Sequence, residues 1–283
     1  MKWNENSKIP IDLIEAARSD NLILFIGSGL SVNLKNNYNE TLGDWNQLVY
    51  RIVQLLNEKG IETDKISPYL GLNPFKILKD LEENNNLPYR DIIQFVKEYY
   101  TISREKNDFQ LHKKLYRLSS KIITTNYDNA FEITSDELAN NVAYCGRDFE
   151  LSQLRKRKKS WLFKLHGCIK DGDSLVIFPS KYSMLYKSRE EKSRRTRECL
   201  KNIIQNNVLL FIGTGIGDFQ IKNIFLNIKK ILGKYTEPHF IITNNKLNNE
   251  LNSFLTPLEI DDFSDIKIII ENILKEVNNK IYK

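Results

Sequence analysis

Asn126, Asp128 and His166 stand out in this sequence because each comes directly after an apolar run that reads as a buried strand. Asn126 and Asp128 belong to Thr124-Thr125-Asn126-Tyr127-Asp128, behind Lys-Ile-Ile, and His166-Gly167 follows Trp-Leu-Phe-Lys-Leu. A carboxamide both donates and accepts hydrogen bonds, a carboxylate accepts them, and an imidazole exchanges a proton near neutral pH. Ligands of open α/β sheets bind outside the carboxyl ends of the strands, so these groups should face a cleft. Such a set can orient a polar ligand and move a proton on it. His112 and His239, on a helical stretch and at a strand start, lack that company and are expected to be structural.

A second signal is an internal echo. Residues 21–31 read NLILFIGSGLS and residues 207–217 read NVLLFIGTGIG. Each is an apolar strand ending in Ile-Gly, then Ser or Thr, then Gly. Glycine allows a tight turn and close approach of backbone to a ligand, and free N–H groups there can donate to phosphate. Either turn alone would serve equally as a structural bend, and 27–32 lacks the third glycine of the usual dinucleotide fingerprint. Two matched turns on one sheet favour ligand binding, one for each end of a dinucleotide.

The elements that must position these residues are legible as apolar runs at 22–26, 121–125, 161–165, 208–212 and 240–243. None alternates with polar residues, as expected of parallel strands covered on both faces. Helical stretches separate several of them. The last places Ile266, Ile269, Ile270, Ile273, Leu274 and Val277 on one face, with Ser264 or Asp265 available as a cap. The fold class expected is α/β, a Rossmann-like doubly wound parallel sheet. Residues 44–114 differ: Asp44 with Gln47 reads as a capping box, an apolar helical stripe follows from Trp45 to Leu56, and Gly60 ends it. Further helices are predicted over 75–83 and 91–100. The segment reads as a helical insertion covering one side of the cleft, with 1–43 and 115–283 forming the Rossmann-like domain.

Composition narrows the class. The 283 residues are 41% hydrophobic and 28% charged, ordinary for a globular protein. No run of 18 apolar residues and no apolar leader is present, so a cytoplasmic protein without a membrane span is expected. Cys145, Cys168 and Cys199 form no C-x-x-C, which argues for reduced thiols and against a disulfide framework or a four-cysteine zinc site. The net charge of +6 is spread along the chain, and its densest runs, 155–159 (RKRKK) and 187–197, are not interleaved with aromatics. They read first as solvated surface, next as a partner or polyphosphate contact, and last as a nucleic-acid site.

Taken in order, GSGLS at 27–31, TTNYD at 124–128, His166-Gly167 and GTG at 213–215 resemble the motif series of the sirtuin superfamily. The likeness extends through 200–218 and to FIITN at 240–244, and is strongest to the bacterial branch of anti-phage systems, whose sirtuin-like domains usually consume NAD. The resemblance implies that Gly27, Ser28, Gly29 and Ser31 lie against the pyrophosphate and adjoining ribose. It implies Asn126 beside the nicotinamide ribose, Asp128 as the acid of the same motif with Thr125 next to them, and His166 as the catalytic histidine. Gly213, Thr214 and Gly215 would form the second nucleotide turn, and Asn244 would lie near the adenosine ribose. The two cysteine pairs of the sirtuin zinc module are replaced by a short link, 168–179, so no zinc is expected. The Asp-Phe-Arg of the cofactor loop is missing too, with Asp44-Trp45 in its general region. Both departures weigh against peptide deacylation.

The activity implied is NAD hydrolysis: cleavage of the nicotinamide–ribose bond, with NAD as substrate, ADP-ribose and nicotinamide as products, and NAD depletion in defence as its use. Asn126 would orient the ribose or a water, and His166 would act as general base. Asp128 either hydrogen-bonds nearby or is structural. Two alternatives remain open here: transfer of ADP-ribose or an acyl group, and an NAD- or ADP-ribose-binding regulatory module. A constantly active hydrolase would poison its host, so a homo-oligomer, a regulatory partner protein or an activating signal is expected. The chain closes soon after its last helix, which puts any sensor on another chain or in a removed region.

Overall fold

A computed structural model describes residues 8–61, 73–83, 87–147, 160–214 and 237–279, together with 222, 223, 226 and 229. Its described strands are β1 (Leu22–Ile26), β2 (Lys121–Thr124), β3 (Val142–Tyr144), β4 (Trp161–Lys164), β5 (Val208–Ile212), β6 (His239–Thr243) and β7 (Leu255–Glu259). They form one sheet in the order β3-β4-β2-β1-β5-β6-β7, with every neighbouring pair parallel. From central β1 the chain moves to β2 on one side and later returns to β5 on the other. Strand order therefore reverses between β1 and β5, and the crevice outside their carboxyl ends is the switch point of a doubly wound sheet.

The described helices are α1 (Ile11–Arg18), α2 (Trp45–Glu58), α3 (Pro74–Glu82), α4 (Tyr89–Tyr99), α5 (Gln110–Leu118), α6 (Ala130–Thr134), α7 (Asp136–Asn140), α8 (Pro179–Lys187), α9 (Glu191–Asn206), α10 (Asn249–Asn252) and α11 (Asp265–Asn278). Alternation of side chains explains why β1 is apolar throughout. Leu22, Leu24 and Ile26 pack into a layer with Leu13 of α1, Leu115 of α5 and Ile269 of α11. Ile23 and Phe25 point the other way, against Leu200 and Ile204 of α9, and Phe25 stacks on Phe211 at 4.8 Å between centroids. Each such side chain contributes roughly 1.5–3 kcal/mol by leaving water. A third cluster joins Leu48, Ile52, Leu78 and Val96 of α2–α4 to Tyr127, Ala130 and Phe178, which come from the segments after β2 and β4. Helices α2–α4 thus pack beside the carboxyl rim of the sheet, while α5 joins the layer on its face.

Local chemistry sets the helix ends. Asp44 accepts the amide of Gln47 at 2.9 Å while the Gln47 side chain accepts the amide of Asp44 at 2.8 Å, a complete capping box. Ser264 precedes α11 without capping it through its side chain, and Asp265 instead accepts the amides of Asp261 and Asp262. The two strands absent from the sequence reading, β3 and β7, are the edges of the sheet. β3 has only three residues, and β7 holds Pro257, which an edge strand tolerates because it need not donate on its open side. No described helix is long and apolar enough to cross a membrane.

His112 and His239 are buried in this framework. Neither ring nitrogen of His112 has a hydrogen-bond partner, and the ring packs edge-on against Phe109 and Phe131. His239 Nδ1 accepts the amide of Leu209 at 3.2 Å, a bond only the ring unprotonated at that nitrogen can accept. Burial lowers both from the ordinary 6.5 to about 4. The folded protein therefore holds fewer protons here than the unfolded chain once pH drops below about 6.5. Stability is unaffected by these groups above that pH, declines on acidification, and the loss is complete below about 4, at roughly 3 kcal/mol for each histidine. Urea denaturation between pH 8 and 4 should show the decline beginning before the carboxylates titrate. A free energy of unfolding that is flat from pH 7 to 5 would contradict this.

Candidate functional site

The two echoed turns meet at the switch point and interlock. The amide of Gly27 donates to Ile212 O at 3.0 Å and that of Gly29 to Gly213 O at 2.9 Å. A Cβ on Gly27 would lie 2.5 Å from Gly213 O and 2.7 Å from Thr214 Cγ2, and one on Gly29 would lie 2.9 Å from Gly213 Cα. Gly213 itself has φ +65, and a Cβ there would meet Leu30 N at 2.5 Å. The repeated Ile-Gly-x-Gly pattern thus lets one turn's backbone rest on the other's. Two amides that the sequence reading offered to phosphate are engaged within the protein. Ser28 stands exposed at the start of a 3-10 turn spanning Ser28–Leu30, and Ser31 is buried behind it.

β2 delivers the next group. Its last residue, Thr124, donates its hydroxyl to Ile26 O at 3.0 Å and accepts the amide of Asn126 at 3.0 Å, while Thr125 N–H reaches Ile26 O at 3.2 Å. The chain is thereby turned across the end of β1. Asn126 Nδ2 donates to Gly27 O and to Ser31 Oγ, both at 3.1 Å. Asn126 Oδ1 is buried without a partner, and so is Thr214 Oγ1. An unpaired buried polar atom costs about 1–3 kcal/mol, so a hydrogen-bond partner at either atom would be favourable.

Beneath this loop lies a charged pair that the sequence reading missed. Lys164, the last residue of β4, is fully buried, and its Nζ donates to Tyr127 O at 3.0 Å, Asp128 O at 2.5 Å and Glu132 Oε1 at 2.9 Å. Burial works against the ammonium, but Glu132, with Cys168 and Asp128, holds its pKa above the ordinary lysine value. The cation fixes the backbone just after Asn126. The one available signal was a lone lysine inside Trp-Leu-Phe-Lys-Leu. Asp128 is also buried, and its Oδ1 accepts the amide of Ala130 at 3.0 Å, opening α6. Its observed bonds shape the loop.

His166 reaches the same rim from β4. Leu165 N–H donates to Thr124 O at 2.8 Å, continuing the β2–β4 ladder, and Gly167 then turns the chain at φ +93. A Cβ on Gly167 would lie 2.2 Å from Ser174 O. His166 O accepts the amide of Val176 at 2.9 Å, and Val176 O accepts the phenol of Tyr127 at 2.7 Å, which ties the histidine turn to the Asn126 loop. The imidazole is buried, with Nε2 2.9 Å from the hydroxyl of Tyr186.

Gly27, Ser31, Asn126, Gly213 and Thr214 are thus joined by direct contacts, and His166 is linked to Asn126 through Val176 and Tyr127. Asn244 follows β6, one strand further out, and is exposed. Gly215 and the basic run at 155–159 lie outside the described residues. In the other basic run, Arg197 donates to Leu185 O at 2.6 Å and Ser188 O at 2.7 Å, closing the end of α8. Cys145, Cys168 and Cys199 form no disulfide, and no three His, Cys, Asp or Glu side chains group as metal ligands, among the described residues.

Comparison with known proteins agrees with this geometry. The SIR2-like domain family matches residues 120–262, about half of the chain, from β2 past β7. Among similar curated proteins, "Defense-associated sirtuin 2" of Bacillus subtilis is 23% identical over 240 residues, 82% of this chain and 22% of that protein. "NAD(+) hydrolase ThsA" of Enterococcus faecium is 23% identical over 295 residues, covering 94% and 58% of the two chains. Its namesake in Cytobacillus dafuensis is 22% identical over 242 residues, covering 85% and 44%. The chain thus spans between about a fifth and three fifths of the length of these relatives. With a parallel sheet whose order reverses between two glycine turns, and a family match across half its length, this chain belongs to the SIR2-like domain family.

Proposed function

We propose that this protein binds NAD at the β1–β5 switch point and hydrolyses its nicotinamide–ribose bond, giving nicotinamide and ADP-ribose. The observation that carries the reading is the buried, unpaired amide oxygen of Asn126, set beside Ser31 and the interlocked glycine turns. Two relatives are named as NAD(+) hydrolases and a third as a defence-associated sirtuin, and these names favour NAD and a role in defence, which we take to be defence against phage.

The turns at Gly27–Ser31 and Gly213–Thr214 would hold the pyrophosphate and riboses, with Ser28 and Thr214 as side-chain partners and Thr125, Gly215 and Asn244 around them. The scissile bond breaks through an oxocarbenium-like centre, so the site must orient the ribose and shield a forming cation. Asn126, fixed through its Nδ2, uses Oδ1 to orient the ribose or the attacking water. His166 takes the proton from a ribose hydroxyl or from that water. Water adds to the anomeric carbon as nicotinamide leaves. Asp128 supports the loop. The helical segment 44–114 is assigned to covering the cleft, and control is assigned to assembly or a partner, inside the cell where the coenzyme is.

Incubating the full chain with NAD, alone and with candidate partners, and separating the products tests the reading. Nicotinamide and ADP-ribose in equal amounts are expected. ADP-ribose attached to an acceptor would replace hydrolysis by transfer, and intact NAD under every condition would reject the activity.

A further inference from the structure

His166 is held by an aromatic clamp on α8. The rings of Tyr182 and Tyr186 stand 5.6 and 6.0 Å from the imidazole, at 62° and 88°, and lie 4.7 Å from each other. They are four residues apart on α8, so they share one helix face. The Tyr186 hydroxyl is 2.9 Å from His166 Nε2. The helix that carries them is fixed at both ends. Glu82, at the end of α3, accepts the amide of Ser180 at 2.9 Å and also its hydroxyl, while Arg197 takes the carbonyls of Leu185 and Ser188. Phe75 of α3 packs edge-on against Tyr182 at 5.8 Å.

We infer that Tyr186 is a positioning residue for the reaction: through its phenol on Nε2 it sets the orientation of the His166 imidazole. An imidazole bonded through one ring nitrogen cannot flip without breaking that bond. The group expected to take a proton from ribose or water is thus presented one way round before substrate arrives. Tyr186 acts on His166 and not on the substrate. The inference rests on the hydrolase reading.

Tyr186→Phe removes the hydroxyl and keeps the ring. The test compares imidazole ¹⁵N spectra of His166 in the full-length wild type and variant, alongside steady-state NAD hydrolysis. The Nε2 resonance is expected to move, while kcat falls about tenfold, the worth of one hydrogen bond, with KM within about twofold. Superimposable His166 spectra, or an unchanged kcat, would overturn the assignment. A wild type that leaves NAD intact would sink the hydrolase reading instead, and the spectra would still decide whether Tyr186 sets the ring.

Discussion

Alanine at His166 is expected to lower NAD consumption about 10²–10⁴-fold, the range contributed by a positioned base. The fold should survive, because the imidazole sits at the end of β4, against Tyr182 and Tyr186, and is not a strand residue of the sheet. Asn126→Ala should lose a comparable factor for another reason. It removes the unpaired amide oxygen and also the two bonds that tie the β2 loop to Gly27 and Ser31. Nicotinamide release at saturating NAD measures the effect, with circular dichroism and thermal unfolding as controls. Full turnover in folded His166→Ala protein would remove the histidine from the mechanism.

The second large effect is on stability. Lys164→Met should cost about 3–5 kcal/mol, because it leaves the Glu132 carboxylate buried without its cation and two loop carbonyls without their donor. Glu132 already has one buried oxygen without a partner, so nothing nearby can absorb the loss. Lys164→Met combined with Glu132→Leu should recover most of the stability, since an apolar pair replaces a buried ion pair at little cost. Turnover should recover less, because the carbonyls of Tyr127 and Asp128 would still lack the ammonium that holds the Asn126 loop. Denaturant midpoints and NAD consumption for the three proteins separate these effects. A single variant as stable as wild type would show the pair to be dispensable.

What the sequence revealed of the fold was its centre. β1, β2, β4, β5 and β6 are covered on both faces and therefore appear as unbroken apolar runs, whereas β3 and β7 are edge strands, too short or too mixed to stand out. Asp44 and Gln47 announced the start of α2 because a capping box is a local event. Asn126, His166 and the glycine turns were visible as candidates because each sits at the end of a strand that was itself legible. The supporting groups were not. Glu132 lies 32 residues before Lys164, and Tyr186 lies 20 residues after His166, so only folding brings each pair together. The role of the glycines was half legible: a tight turn with close approach to a ligand was expected, but not that each turn is the other's nearest neighbour.

That mutual contact decides how the site can be probed. The floor of the crevice is a seam made largely of main chain, where two halves of the protein meet backbone to backbone beside the Thr214 methyl. Any methyl group introduced at Gly27, Gly29 or Gly213 would act as a wedge in that seam, shifting Ser31, Asn126 and Thr214 together. A glycine variant that no longer binds coenzyme would therefore report on the joint between the halves, whereas changes confined to the Ser31 or Thr214 hydroxyls interrogate the ligand itself.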